Sequence, residues 1–168
     1  MKQAIAGVSP SQLGEATVMT VWPSIARFQL GRTLGQLMAN KSGAYIFTVG
    51  NLMALLSIPV ALALYFYRIA PVVGLRYRLT NKRIVVHAGL TAVEVKSVDL
   101  DRFDSIEIVV QPGQAWYDAG DLVFKQGKVE TFRLEGVSRP GAFRAACVKS
   151  HAAYNGVKQS LERQAAKA

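Results

Sequence analysis

The chain has 168 residues, half of them hydrophobic and only 18% charged, with a formal net charge of +9. That length holds one compact domain and little more, and the charged fraction falls below the roughly 25% of an average soluble domain. The single cysteine, Cys147, excludes an intramolecular disulfide and reads as a small apolar residue on a helix.

The positive charge is divided, about +4 before Pro71 and about +5 after it, so it points to an anionic partner without forming one basic tail. Beside a long apolar run, anionic lipid headgroups are favoured over nucleic acid as that partner, and no nucleic-acid contact is expected. Residues 1–23 form an N-terminal segment with one lysine and no sustained apolar run, so no secretory signal peptide is expected.

Residues 24–43 come next. Ser24 is a capping residue after Pro23, and Ile25, Phe28, Leu34, Leu37 and Met38 recur at helical spacing, interrupted by Arg27, Gln29, Arg32 and Gln36. An amphipathic helix lying in a membrane surface is expected, the rival being the first arm of a helical hairpin. Gly31 and Gly35 make a G-x-x-x-G that permits close approach of a neighbouring helix.

From Ala44 to Tyr67 the chain contains no Asp, Glu, Lys, Arg or His. Twenty-four such residues make a helix of about 36 Å, longer than the roughly 30 Å hydrocarbon core, so a transmembrane helix is expected over 44–67. Tyr45 at one end and Tyr65, Phe66 and Tyr67 at the other are the expected membrane anchors at the interfaces. Arg68, Arg76, Arg78, Lys82 and Arg83 outnumber Arg27, Arg32 and Lys41 around this run. The bias places the C-terminal domain in the cytoplasm, with the protein integral to the membrane that the run crosses. The other reading of the run is a buried core helix.

Over 72–159 the pattern changes to short alternating segments. Strands are expected at Val73 to Leu79, Arg83 to His87, Ala92 to Val98, Phe103 to Val110, Leu122 to Lys125 and Lys128 to Leu134, with turns at Thr80-Asn81, Gly89, Pro112-Gly113 and Gln126-Gly127. Arg139-Pro140-Gly141 then opens a C-terminal helix, and 160–168 are left as a tail.

Several blocks carry a resemblance. They are G-E-x(7)-P-S at Gly14, Glu15, Pro23 and Ser24, Y-R-L-T-N-K-R-I from Tyr77 to Ile84, Gly89, and the stretch from Val98 to Val110. A-G-D-L at Ala119 to Leu122 and G-V-S-R-P at Gly136 to Pro140 complete them. In these the chain resembles the bacterial pleckstrin-homology (PH)-like domains of membrane-flanked proteins. The resemblance implies an α+β fold: a membrane helix or helical hairpin, then a PH-like β-sandwich of about seven strands with one C-terminal helix. It also implies a non-enzymatic binding module.

In lipid-binding relatives, basic residues of the first hairpin hold phosphorylated headgroups. By that resemblance Arg76, Arg78, Lys82 and Arg83 are the candidate headgroup site, the other reading being a basic cluster with no specific ligand. Trp116 and Tyr117, in the loop Gln111 to Tyr117, are candidates for a partner surface or for cover of the sandwich end. A protein partner or self-association is the further expectation, with a structural subunit of an oligomeric membrane assembly as the alternative function.

Metal and cofactor chemistry is not expected. Asp99, Asp101 and Asp104 lack the glycine and ligand spacing of a calcium loop, and His87 and His151 have no Cys or carboxylate at ligand spacing. No nucleophile elbow, P-loop, zinc-protease or dinucleotide motif is present.

Overall fold

The computed structural model describes residues 14–39, 43–44, 47–69, 74–89 and 91–166. Its elements in chain order are β1 (Thr17–Val21), α1 (Gln29–Met38), β2 (Gly43–Ala44), β3 (Phe47–Thr48) and α2 (Val49–Ile69). They continue with β4 (Leu75–Thr80), β5 (Arg83–Ala88), β6 (Val93–Asp99), β7 (Ser105–Val109), β8 (Ala119–Gln126), β9 (Val129–Ser138) and α3 (Pro140–Ala165).

Seven of the strands form a two-sheet sandwich, a four-stranded sheet in the order β1-β4-β5-β6 facing a three-stranded sheet β7-β8-β9. The pleat sends alternate side chains to opposite faces. Tyr77 and Leu79 of β4, Ile84 and Val86 of β5, Ile106 of β7, and Leu122 and Phe124 of β8 therefore enter one core with Phe132, Leu134 and Val137 of β9. Phe124 is fully buried, its ring edge-on to Phe103 at 5.0 Å and to Phe132 at 5.8 Å. Gly127, at φ 61°, makes the β8-β9 turn that the Gln126-Gly127 pair predicts.

The C-terminal helix α3 begins with Pro140 at a first-turn position and buries Pro140, Phe143 and Cys147. It also seals a sheet edge: the Arg144 Nε donates to the Ile106 carbonyl of β7 at 2.8 Å. The thiol of Cys147 is pushed up to about 12 by burial, which leaves it a protonated packing group.

The first strand comes from residues read from the sequence as an N-terminal segment. β1 pairs antiparallel with β4, Val21 opposite Tyr77 and Thr20 opposite Arg78. The helices α1 and α2 are therefore an insertion between two neighbouring strands of one sheet, and its two ends leave from and return to the same end of that strand pair.

This pairing corrects the transmembrane expectation. A single crossing at 44–67 would place β1 and β4 on opposite sides of the bilayer, yet the two are hydrogen-bonded to each other. The apolar run also does not form one helix: Gly43–Ala44 and Phe47–Thr48 pair as short strands, α2 starts only at Val49, and Pro59 interrupts its hydrogen bonding. Among the described residues no helix is long and apolar enough to cross a membrane. That overturns the N-terminal membrane helix of the expected fold class, and with it the expected integral localisation and the orientation derived from it. The sandwich and the C-terminal helix stand.

Candidate functional site

The insertion is fastened to the sandwich at two points, both legible as close backbone approach. At the first, the Ser24 amide donates to the Gly136 carbonyl at 2.7 Å, and Pro23 bridges Val137 of β9. Ser24 Oγ accepts from the Ala26 amide at 3.3 Å and caps the single turn Ile25–Arg27. Gly136 has φ 59°, and a Cβ there would meet the backbone of Arg27.

At the second point α1 lies on the loop between β7 and β8. A Cβ on Gly35 would strike the Gly113 carbonyl and the Tyr117 ring, and one on Gly113 would strike the Arg32 backbone. Gly31 in turn packs on the Ile25 carbonyl. Both glycines of the G-x-x-x-G are thus used within the chain. The loop is held by Asp121, which is 1% exposed. It accepts from Gln114 Nε2 at 2.7 Å, Gln111 Nε2 at 2.7 Å and the Gly136 amide at 2.9 Å, with Arg133 at 3.5 Å. Arg32 extends the network from α1 by donating to Gln111 Oε1 at 2.6 Å.

Helix α2 inverts the usual polarity of burial. Its less exposed side is the stripe Ala54, Ser57, Ala61 and Leu64, at the 3-4-3 spacing of a packed helix face, and all but the last of these are small. Ser57 is 8% exposed, whereas Leu55 is 65%, Leu56 72% and Phe66 63% exposed. Leu52, Met53, Ile58, Val60 and Leu62 also face outward. Near its end the Tyr67 ring meets Phe28 edge-on at 5.5 Å, and Tyr65 meets Phe66 at 6.0 Å. Tyr65, Phe66 and Tyr67 thus lie together at the root of the insertion; Tyr45 lies outside the described residues.

Two exposed tryptophans and three arginines lie on the insertion or on the strands and loop that border it. Trp22 is 47% exposed, with the Arg76 guanidinium 5.5 Å from its ring centre, while Arg76 also donates to the Gly89 carbonyl at 2.9 Å. Arg27 lies 5.7 Å from the Phe28 ring centre and pairs with Glu135 at 3.6 Å. Arg32, the third, is the α1 residue bonded to Gln111. Trp116, in the loop against α1, is 52% exposed. Its neighbour Tyr117 packs on Gly35 instead, and its buried hydroxyl has no partner among the described residues. The two aromatics of that loop therefore divide between surface and cover.

The four basic residues of the first hairpin do not converge. Arg76 lies at the end of β4 where the insertion returns, and Lys82 lies in the turn at the other end, roughly 15 Å away at about 3.3 Å per residue. Arg83 is enclosed by carboxylates, with Glu15 at 2.9 Å and Glu94 at 2.9 Å. Those contacts hold the Glu15 carboxyl below its ordinary range, chiefly through the Arg83 hydrogen bond. Arg78 sits mid-strand on the outer face.

Sequence reading missed the role of β1, the Asp121 network and the inward stripe of α2. Only the stripe left a periodic signal, masked by the general apolarity of the run. Among the described residues, no group of three or more His, Cys, Asp or Glu is placed to hold a metal ion.

Comparison with known proteins bears on the whole arrangement. No curated protein and no solved structure matches the chain. A family model described as the bacterial PH domain matches residues 25–152, from the turn that follows Ser24, across the insertion and the sandwich, to the middle of α3. The match takes in well over half of the sequence, and with the seven-stranded sandwich and its closing helix it assigns the fold: the chain belongs to the bacterial PH domain family.

Proposed function

We propose that the protein is a non-enzymatic PH-like binding module that rests on an anionic lipid surface from one side, pressing the exposed face of α2 into the headgroup and upper acyl region without crossing. The observation that carries this reading is the inverted polarity of α2, mostly small residues inward and large apolar residues outward. In water that arrangement leaves unburied a set of side chains each worth about 1.5–3 kcal/mol on full burial. A surrounding apolar phase removes the penalty, and close packing through small residues is how helices associate there.

The rim agrees in chemistry. Trp22, Trp116, Tyr65 and Tyr67 are the side chains favoured at a lipid-water boundary; Arg76 stands over Trp22, and Arg27 and Arg32 are carried by the insertion itself. A cation near an anionic surface contributes about 1 kcal/mol, so the apolar contact outweighs the charge. Lys82, at the far end of β4, is too distant to take part. The alternative of assembly through the G-x-x-x-G loses its motif, since Gly31 and Gly35 are already filled.

The test is flotation of the full chain with phosphatidylglycerol or phosphatidylcholine vesicles across a salt series. Binding to the anionic vesicles that weakens but persists at high salt is the expected result. A chain with Leu52, Leu56 and Leu62 replaced by Ser loses it. Wild-type chain that stays in the dense fraction, or forms one closed oligomer insensitive to vesicles, overturns the reading.

A further inference from the structure

Of the four arginines on sandwich strands, Arg76, Arg83 and Arg133 each have protein partners. Arg78 has none among the described residues, and its Nε is buried without a hydrogen bond. One other buried side-chain nitrogen is in the same state on the same sheet, Nδ1 of His87.

The register brings the two together. Arg78 is paired across with Val85, and His87 with Arg76, so Arg78 and His87 are diagonal neighbours on β4 and β5 with side chains on one face. Such neighbours lie roughly 7–8 Å apart, within reach of long side chains. That face is the outer one, since Tyr77, Leu79, Ile84 and Val86 point the other way into the core. Val85, next to both, is nonetheless only 2% exposed and does not belong to the core cluster. The two nitrogens are thus shielded from water although their side chains are partly exposed, and shielding strengthens any charge-assisted hydrogen bond made there.

The surrounding charges leave room for an anion. Glu94, opposite His87 on β6, is committed to Arg83 at 2.9 Å and to the Ser97 hydroxyl at 2.6 Å. Arg76 adds a second guanidinium on the same face. The imidazole of His87 is held below its ordinary range by burial first and by Arg78 next, the behaviour of a ring in a desolvated, positive spot.

We infer that Arg78 and His87, both neighbours of Val85 on the outer face of the four-stranded sheet, form a subsite for a phosphate-type anion. A tetrahedral oxyanion accepts from the Arg78 Nε and from a ring N–H of His87, satisfying both nitrogens. The phosphate of a lipid headgroup and free inorganic phosphate share this chemistry. The subsite does not rest on α2 meeting lipid.

The experiment is nuclear magnetic resonance of the His87 ring in the full chain, held in phosphatidylcholine nanodiscs. Inorganic phosphate, glycerol phosphate and phosphatidylglycerol in the disc are the three additions. A saturable shift of the His87 nitrogens is expected, weakened about tenfold or more by Arg78→Gln and unchanged by Lys82→Gln. Arg78→Lys, which keeps the charge, checks that a loss is not misfolding and weakens binding less. A shift with inorganic phosphate assigns a free-anion site; one confined to phosphatidylglycerol assigns a headgroup site. No shift in any arm, or an equal shift with chloride at the same ionic strength, overturns the subsite. Flotation can fail while the phosphate shift persists, so the two readings fail separately.

Discussion

The sandwich and the α1-α2 insertion follow opposite rules of burial. In the sandwich the large side chains, Phe103, Phe124 and Phe143, are buried, and the charged groups of β6 and β9 lie outside. In α2 it is Ala54, Ser57 and Ala61 that face inward, while Leu52, Leu55, Leu56 and Leu62 face out. This contrast, more than any single residue, distinguishes the molecule from an ordinary sandwich.

The largest expected effect tests that contrast directly. Phe124→Ala opens a cavity among Phe103, Phe132 and the strands and costs about 3–5 kcal/mol, read by chemical denaturation. Leu56→Ala, equally apolar by sequence, changes stability in water by about 0.5 kcal/mol or less. Equal losses at the two positions would mean that α2 is an ordinary core helix.

A smaller effect addresses the joint between the regions. Gly35→Ala places a methyl group against the Gly113 carbonyl and Tyr117, costing about 1–3 kcal/mol through forced repacking. Hydrogen exchange then rises in α1 and the 111–117 loop, while β4, β5, β7 and β8 stay protected. Uniform loss of protection would show that the regions unfold as one unit.

The smallest effect is electrostatic and confined to the sandwich edge. The Glu15 carboxyl is held below its ordinary range by Arg83, so its contribution is present above the unfolded value near 4.5 and is lost as pH falls through the lower folded value. Glu15→Gln removes about 1 kcal/mol or less at neutral pH, as for other exposed pairs, and flattens the acid limb of the stability curve. An acid limb of unchanged slope would show that the pair contributes nothing.

How much of this could be read in advance follows from the range of the interactions. Strands β4 to β9 announce themselves by alternation and by Gly127 and Pro140, all local signals. The first strand does not, because TVMTV is short and its partner lies roughly 55 to 65 residues along, beyond the insertion. That missed pairing is also why the apolar run reads as a lone crossing: without β1 in the sheet, nothing ties its two ends to the same side. The G-x-x-x-G and the loop QPGQAWY are each conspicuous in the sequence. That Gly35 sits on Gly113 is a fact of the fold. His87 looks isolated in the sequence because ligand spacing runs along the chain, while its neighbour Arg78 is across a strand pair.

On the proposed reading the outward face of α2 lies in lipid. A nitroxide on Leu56→Cys measures this, since the buried, protonated Cys147 does not compete for the label. On phosphatidylglycerol vesicles, collision with oxygen rises and collision with a water-soluble nickel chelate falls, relative to a label on Lys82→Cys at the far end of β4. Equal accessibility to the chelate at both positions, with the protein bound to the vesicles, would contradict the account.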